Sequence, residues 1–347
     1  MSRSPHAAPT AQGGPTLRRG GAGSRLTGLL LLAAVVVALP LLFPKNYFVT
    51  VVGVAVGFHA ILAVALNLLI GYAGQISLGH AAFFGLGAYT SAILTTRYDW
   101  SPWLAMLAGL AGVLVVASLI SRPILRLKGH YLAMATLGFG IIVHIVMVQA
   151  VVLTGGPDGL SGVPGLSLLG WGLKTDLHWY WVVAGVMLAV VWLSLNIVDS
   201  RTGRALRAVH GSEFAAEMMG IDTTRTKAQV FVLSALISAF AGSLFAHQQG
   251  FVSPDSFSFF VSIELVTMVV LGGMASTYGA VFGAVALTLL KAGLVVFHDY
   301  EMVILGAILM IVMIFLPQGL FVGLARGLRL ALPRRRERPA TSGDRIA

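Results

Sequence analysis

Ten apolar runs, separated by short polar or glycine-rich breaks, organise the 347-residue chain. They lie near 27–43, 47–70, 77–95, 102–120, 130–153, 178–197, 228–247, 261–274, 278–297 and 302–322. Most reach the roughly 17–25 residues a helix needs to cross a hydrocarbon core, where backbone amides must be bonded internally. Only 261–274 is short. The pattern predicts an all-α polytopic membrane protein of about ten transmembrane helices, with both termini on one side. Arg18, Arg19 and Arg25 precede the first run as in a signal peptide. No convincing small-x-small cleavage site follows it, so the run reads as a retained span.

One polar interruption is long. Ser200–Gln229 holds five basic residues between two apolar runs. Its second half reads as a short amphipathic helix. Ser212 can accept a bond from a free amide at the start, and Glu213 and Glu217 suit the positive end of the helix dipole. Phe214, Met218 and Ile221 recur at i, i+4 and i+7, which is one face. Gly220 can end the helix in a left-handed conformation. Such a face fits either a partner's groove or the headgroup layer. Helical spacing alone leaves both open.

Composition agrees with the pattern. Hydrophobic residues make up 57% of the chain and charged residues 10%, against roughly a quarter charged in soluble domains. Mean hydropathy is +0.88. The net charge of +10 would suggest nucleic acid in a soluble protein, but its placement argues otherwise. Nineteen Lys and Arg fall on the proposed inner side, before span one, in 121–129, in 198–227 and after Leu324. Lys45, Arg97 and Lys174 fall on the outer side. By the positive-inside rule both termini are cytoplasmic, and no nucleic-acid partner is needed. The chain divides into a disordered basic N-terminus (1–26), a transmembrane domain (27–322) carrying the 198–227 loop, and a basic cytoplasmic tail (323–347). With no cysteine, disulfides and thiolate chemistry are excluded.

Two inner turns, Gly71–Leu78 and Gly272–Tyr278, carry no charge and are dense in glycine. Glycine-broken backbone is tolerated in a membrane where it is buried or lines a wet cavity, so both turns are expected to be sunk into the protein. Gly279–Gly283 also suits close helix packing through small residues. The segment Gly71, Gly74, Gln75, Ser77, Gly79 and His80 adds donors and acceptors to its glycines. It therefore reads as a candidate substrate path, with helix locking through Gln75 and His80 as the competing reading.

The block NLLIGYAGQISLGHAAFFGLGAY from Asn67 resembles the signature of LivM-type permeases of branched-chain amino acid ABC importers. Further blocks fit that family in order. They begin at Arg122 (RPILRLKGHYLAMATLGFG), Thr154 (TGGPDGLSGVPG), Arg204 (RALRAVHGSEFAAEMMGID), Ser253 (SPDSFSFFVSIELVTMVVLGGMASTYGA) and Phe315 (FLPQGL). The resemblance implies a type II importer-like permease subunit in the inner membrane. Its partners would be a second, LivH-type permease, two cytoplasmic ATP-binding subunits and a periplasmic or lipid-anchored binding protein. It implies no cofactor on this chain, with ATP used by the partner subunits. It also makes the 198–227 loop a coupling loop, with Glu213, Phe214, Ala215, Ala216, Met218, Gly220 and Ile221 as ATPase-coupling residues. Two departures stand out. The strict family loop places Glu where Phe214 stands, one residue after Glu213. The late glycine block usually has Gly and Pro where this chain has Ala275 and Ala280, so its backbone is expected to differ there.

Other chemistries fit less well. No G-x-x-x-x-G-K-[ST] phosphate loop occurs, so this chain cannot cradle ATP in that manner. Gly159–Gly162 matches a short intramembrane serine protease string, but Ser161 falls in a Gly/Pro-rich outer loop instead of at a buried helix start. His59, His80 and His144 lack metal-ligand spacing, so no metal site is expected. Glu264 and Lys291 lie within apolar runs, where charge is costly and often functional. They can pair across neighbouring spans or snorkel to the interface. An ion-coupled secondary transporter of small polar solutes is the alternative reading. It needs inverted repeats and intramembrane acids. The two glycine turns do not correspond under a five-plus-five division, and Glu264 is the only acid placed for coupling.

Overall fold

The structure is a computed structural model that describes residues 22–42, 47–168, 171–173 and 175–294, with positions 303, 306, 307 and 310. Twelve α-helices occur among the described residues. They are α1 (Ala22–Leu42), α2 (Tyr47–Asn67), α3 (His80–Arg97), α4 (Pro102–Ile124), α5 (His130–Gln149) and α6 (Val151–Thr154). Then come α7 (Asp176–Asp199), α8 (Arg201–Gly211), α9 (Glu213–Met218), α10 (Thr223–Gln249), α11 (Phe259–Gly272) and α12 (Thr277–Leu294). The first nine apolar runs each fall on a helix. The tenth, over 302–322, lies outside the described residues except for the helical positions 303, 306, 307 and 310. Six helices among the described residues are long and apolar enough to cross a membrane, while α1 and α11 contribute shorter apolar stretches. The chain is a multi-pass membrane protein.

Helix α2 is the hub. Every residue from Ala60 to Tyr72 is buried, and the helix packs against α7, α10, α11 and α12. A helix apolar all round has no solvent face and belongs inside a bundle. The most extensive pairing joins α3 to α10. There a methyl on Gly242 would lie 1.9 Å from the Phe84 carbonyl, so the two backbones nearly touch. Polar groups stud the same seam. His80 Nε2 and Ser234 Oγ are 2.7 Å apart, Ser91 Oγ and His247 Nε2 are 2.9 Å apart, and Ser243 donates to the Gly87 carbonyl at 3.0 Å.

The loops sort into two ends, as the charge pattern divides them. At one end Lys128 pairs with Glu213 at 3.3 Å, joining the 121–129 and 198–227 loops. At the other, the Arg97 guanidinium donates to the Val152 carbonyl. Two-residue strands gather there as well. Strand β1 (Leu160–Ser161) pairs antiparallel with β4 (Phe251–Val252), and β2 (Ser167–Leu168) pairs with β3 (Trp171–Gly172).

Two expectations change. The helix α1 begins at Ala22, so residues 22–26 belong to a helix and not to a disordered segment. The remainder of that segment and the 323–347 tail lie outside the described residues. The glycine turn at 272–278 is only partly sunk: Gly272, Gly273 and Thr277 are buried, whereas Met274 and Ala275 are exposed. Its sharp reversal leaves the tip outside the helix packing that buries its two ends.

Candidate functional site

Between α2 and α3 the backbone is broken and the break is lined with polar groups. The last turn of α2 widens into a π-helix over Leu68–Tyr72, a distortion frequent at functional sites. Gly71 lies within it, where a methyl would come 2.2 Å from Asn67 Oδ1 and 2.4 Å from the Ala275 amide nitrogen. Gly74 then takes φ +67°, a left-handed conformation costly for residues with a Cβ. From there to Ser77 the chain alternates. Gly74 and Ile76 face outward, while Gln75 and Ser77 are buried. This is the period of an extended segment, and it delivers both polar side chains to the interior. Gly79 and His80 are buried as well, and a methyl on Gly79 would strike the Thr136 carbonyl at 2.3 Å.

Partners are unevenly shared here. The Leu78 amide donates to Thr136 Oγ1 at 3.0 Å, and the Ala81 amide donates to Ser262 Oγ at 3.1 Å. His80 is tied to Ser234 through Nε2, and Ser234 donates to the Ala65 carbonyl. By contrast both amide atoms of Gln75, Ser77 Oγ, His80 Nδ1 and Asn67 Nδ2 are buried with no protein partner. A buried polar group left unpaired costs about 1–3 kcal/mol, so this cluster is poorly suited to a purely structural lock. It offers donors and acceptors to a polar guest.

The expected path residues therefore lie together in one break. Asn67 was not among them, although its Oδ1 accepts from the Ala275 amide at 3.1 Å and ties the two glycine turns together. An isolated Asn at the end of an apolar run was the available signal.

The loop residues form a second cluster. Helix α8 lies in the basic half of the loop, where no apolar run announces it. Ser200 caps it by accepting from the Gly203 amide at 3.3 Å, and Leu206 and Val209 bury its apolar side. Ser212 caps α9 as expected, accepting from the Ala215 amide at 3.2 Å. Gly220, at φ +79°, ends it. The Gly220 amide bonds to the Glu217 carbonyl at 2.9 Å and the Ile221 amide to the Ala216 carbonyl at 3.0 Å. These two bonds make a Schellman cap.

Phe214 and Met218 are 70% and 69% exposed, so two members of the expected face are free to meet a partner. Ile221 is half-buried, Ala216 is buried, and Ala215 is exposed. Met219, outside the i, i+4, i+7 set, is 83% exposed and extends the patch. Glu213 anchors the helix from beneath, bonded to the buried Lys227 and to Lys128. Burial pushes the Glu213 carboxyl up, but the lysine bonds and charges outweigh it and hold it below the usual carboxylate value.

The two clusters touch. A methyl on Gly74 would lie 2.8 Å from His210 Nδ1, so the end of α8 rests on the broken segment. A shift of the α8–α9 pair would therefore press on the break.

Other candidate chemistry finds no support in the geometry. Ser161 is exposed on β1, and His247, at that end, bonds to Ser91 and to the Pro164 carbonyl. No group of three metal-ligating side chains occurs among the described residues. Glu264 and Lys291 do pair, at 2.9 Å.

Residues 47–313 match the family model described as the permease component of branched-chain amino acid transport systems. The chain is 35% identical to the LivM permease protein of Salmonella typhimurium over 84% of its own length and 74% of the relative's. It matches Escherichia coli LivM with the same identity and shares. It is 28% identical to the LivH permease protein of Escherichia coli over 77% of this chain and 92% of that one. No solved structure matches significantly. These matches cover α2 to α12, the broken segment and the loop helices alike, and the chain belongs to the family of permease components of branched-chain amino acid transport systems.

Proposed function

We propose that this chain is one permease subunit of an ATP-driven importer of branched-chain or related amino acids, and that Gly71–His80 lines its translocation path. The observation that carries the reading is the set of buried polar atoms left without a partner at a helix break: Asn67 Nδ2, both amide atoms of Gln75, Ser77 Oγ and His80 Nδ1. A zwitterion leaving water needs replacement hydrogen bonds for its carboxylate and its ammonium, and broken helices in transporters supply them. LivM and LivH relatives carry branched-chain amino acid transport in their names, which supports the substrate class.

In this reading the subunit sits in the inner membrane with both termini and the 198–227 loop in the cytoplasm, on the type II importer plan. A second, LivH-type permease completes the path. Two ATP-binding subunits hydrolyse ATP and receive Phe214, Met218 and Met219 in a groove, while a periplasmic or lipid-anchored binding protein delivers substrate. The contact of His210 with Gly74 supports transmission from the docked loop to the path.

Reconstitution with those partners tests this. Leucine uptake into proteoliposomes should require ATP and the binding protein, and Met218→Asp should abolish it while the protein still inserts. An unpaired carboxylate buried in an apolar groove costs several kcal/mol. Uptake driven by a proton or sodium gradient without ATP would favour the ion-coupled carrier instead. Normal coupling in Met218→Asp would return α9 to the headgroup layer.

A further inference from the structure

The Glu264–Lys291 pair lies away from the broken segment. Glu264 sits in the second turn of α11, and Lys291 sits near the described end of α12. Both are toward the end of the bundle opposite α8 and α9. They border a cavity of about 280 Å³ whose other walls come from α2, α3, α10 and Ser256 in the turn before α11. That volume is near the lower end of small-molecule sites, about 300–1,000 Å³.

The lining has two characters. One side is charged and polar: Lys291 Nζ lies 2.9 Å from Glu264 Oε2, and His59 is bonded to Thr288 at 2.9 Å. The other side is mainly apolar and aromatic, with Gln248 and Gln249 at its edge. Phe58, Phe84 and Phe245 line it, with Phe245 5.5 Å from Phe58 and 5.3 Å from Phe84 between ring centroids. The ion pair is not saturated, because Glu264 Oε1 is buried with no protein partner.

We propose that this cavity is a docking station for an aliphatic α-amino acid on its way to the broken segment. The substrate carboxylate takes the place of Glu264 on Lys291, and its ammonium takes the place of Lys291 on Glu264. Its side chain lies against the three phenylalanines. The exchange leaves every charge paired before and after, so the substrate enters a low-dielectric region without stranding an ion. A free Glu264 oxygen gives the ammonium a second acceptor. An anion or a cation alone would leave one protein charge unmatched, which selects a zwitterion. The aromatic wall selects an apolar side chain. This inference rests on the import reading and extends it to a second station.

The test uses the assembled transporter in proteoliposomes. Single substitutions strand a half-buried charge within the apolar part of the bundle, so the informative variant is the neutral double, Glu264→Gln with Lys291→Met. It should assemble and hydrolyse ATP in response to the binding protein, while leucine uptake falls at least tenfold. Uptake within twofold of the unsubstituted transporter overturns the proposal and leaves the import reading intact. The exchanged pair, Glu264→Lys with Lys291→Glu, decides the matter where the neutral double does not assemble. It keeps the ion pair but reverses the head group, so the substrate side chain misses the phenylalanines and uptake stays depressed. Full recovery in the exchanged pair shows a structural bridge and overturns the station. Failure of the unsubstituted transporter to import leucine with ATP would instead overturn the import reading.

Discussion

The two charge-free glycine turns look alike as sequence, and what separates them as structure is the fate of their polar groups. In the turn between α11 and α12, glycine removes side chains so that backbones can meet. A methyl on Gly272 would lie 1.9 Å from the Gly279 carbonyl, and one on Gly283 would lie 1.9 Å from the Met268 carbonyl. Polar groups there are matched: Gly279 donates to Ser276 Oγ at 3.0 Å, and Thr277 Oγ1 is 3.3 Å from both Tyr72 and Ser194 hydroxyls. In the turn between α2 and α3, Gly71 and Gly79 also admit close backbone approach, but Gly74 breaks the chain at φ +67° and the polar groups turned inward are left unmatched. Glycine density therefore marks close approach or a break, and the company of Gln, Ser and His separates the two.

The largest expected effect breaks the packing half of that comparison. Gly283→Leu forces a branched side chain into a carbonyl contact, and overpacking of that kind costs about 1–3 kcal/mol or more. Thermal unfolding in detergent should show a strong loss of stability or of folded protein. A near-normal melting point would mean that α11 and α12 are not in glycine-mediated contact.

The next effect tests the path half. The chain has no cysteine, so single cysteines report without background. Ser77 and Thr277 are equally hidden, at 3% and 2% exposure; they differ in having partners. Ser77→Cys should react with a water-soluble thiol reagent in some transport states, and Thr277→Cys in none. Alongside, Gln75→Ala should lower uptake about tenfold, a loss of about 1.4 kcal/mol in the rate-limiting barrier. It should leave the melting point nearly unchanged, because no protein partner is lost. Equal silence at both cysteines in an active transporter would make the first turn packing too.

The fold was legible where a single period decided it. Apolar runs located the long helices α1 to α5, α7 and α10 to α12, and Ser212 and Gly220 announced both ends of α9 through capping chemistry. What escaped was set by contacts distant in sequence. Helix α8 hides in a basic stretch because its stability comes from Leu206 and Val209 packed beneath the arginines. The resting of His210 on Gly74 joins residues far apart in the chain, and no local pattern carries it. The exposure of Met219 in place of Ile221 follows from the Schellman cap, which turns Ile221 back toward the protein. The burial of Gln75 and Ser77 beside exposed Gly74 and Ile76 needed the extended conformation, which glycine spacing alone does not specify.

The smallest effect sharpens the boundary where the two turns meet. Ala275 has φ +60°, and its amide donates to Asn67 beside Gly71. Alanine stands here where LivM-type relatives usually have glycine, and it takes the left-handed conformation, held by the bond to Asn67. For an alanine that conformation costs about 1–2 kcal/mol, because Cβ crowds the following carbonyl. Ala275→Gly removes the crowding and gives back part of the gain through a freer unfolded chain, about 0.4–1 kcal/mol. The net expectation is stabilisation of about 0.5–1 kcal/mol, seen as a small rise in melting temperature. Because Ala275 is exposed, loss of its methyl opens no cavity to offset this. Ala275→Val should do the reverse, since a β-branched residue tolerates positive φ less well than alanine. If glycine destabilises or valine is neutral, the turn does not hold this conformation. The bond from Ala275 to Asn67 would then not be what fixes the second turn against the first.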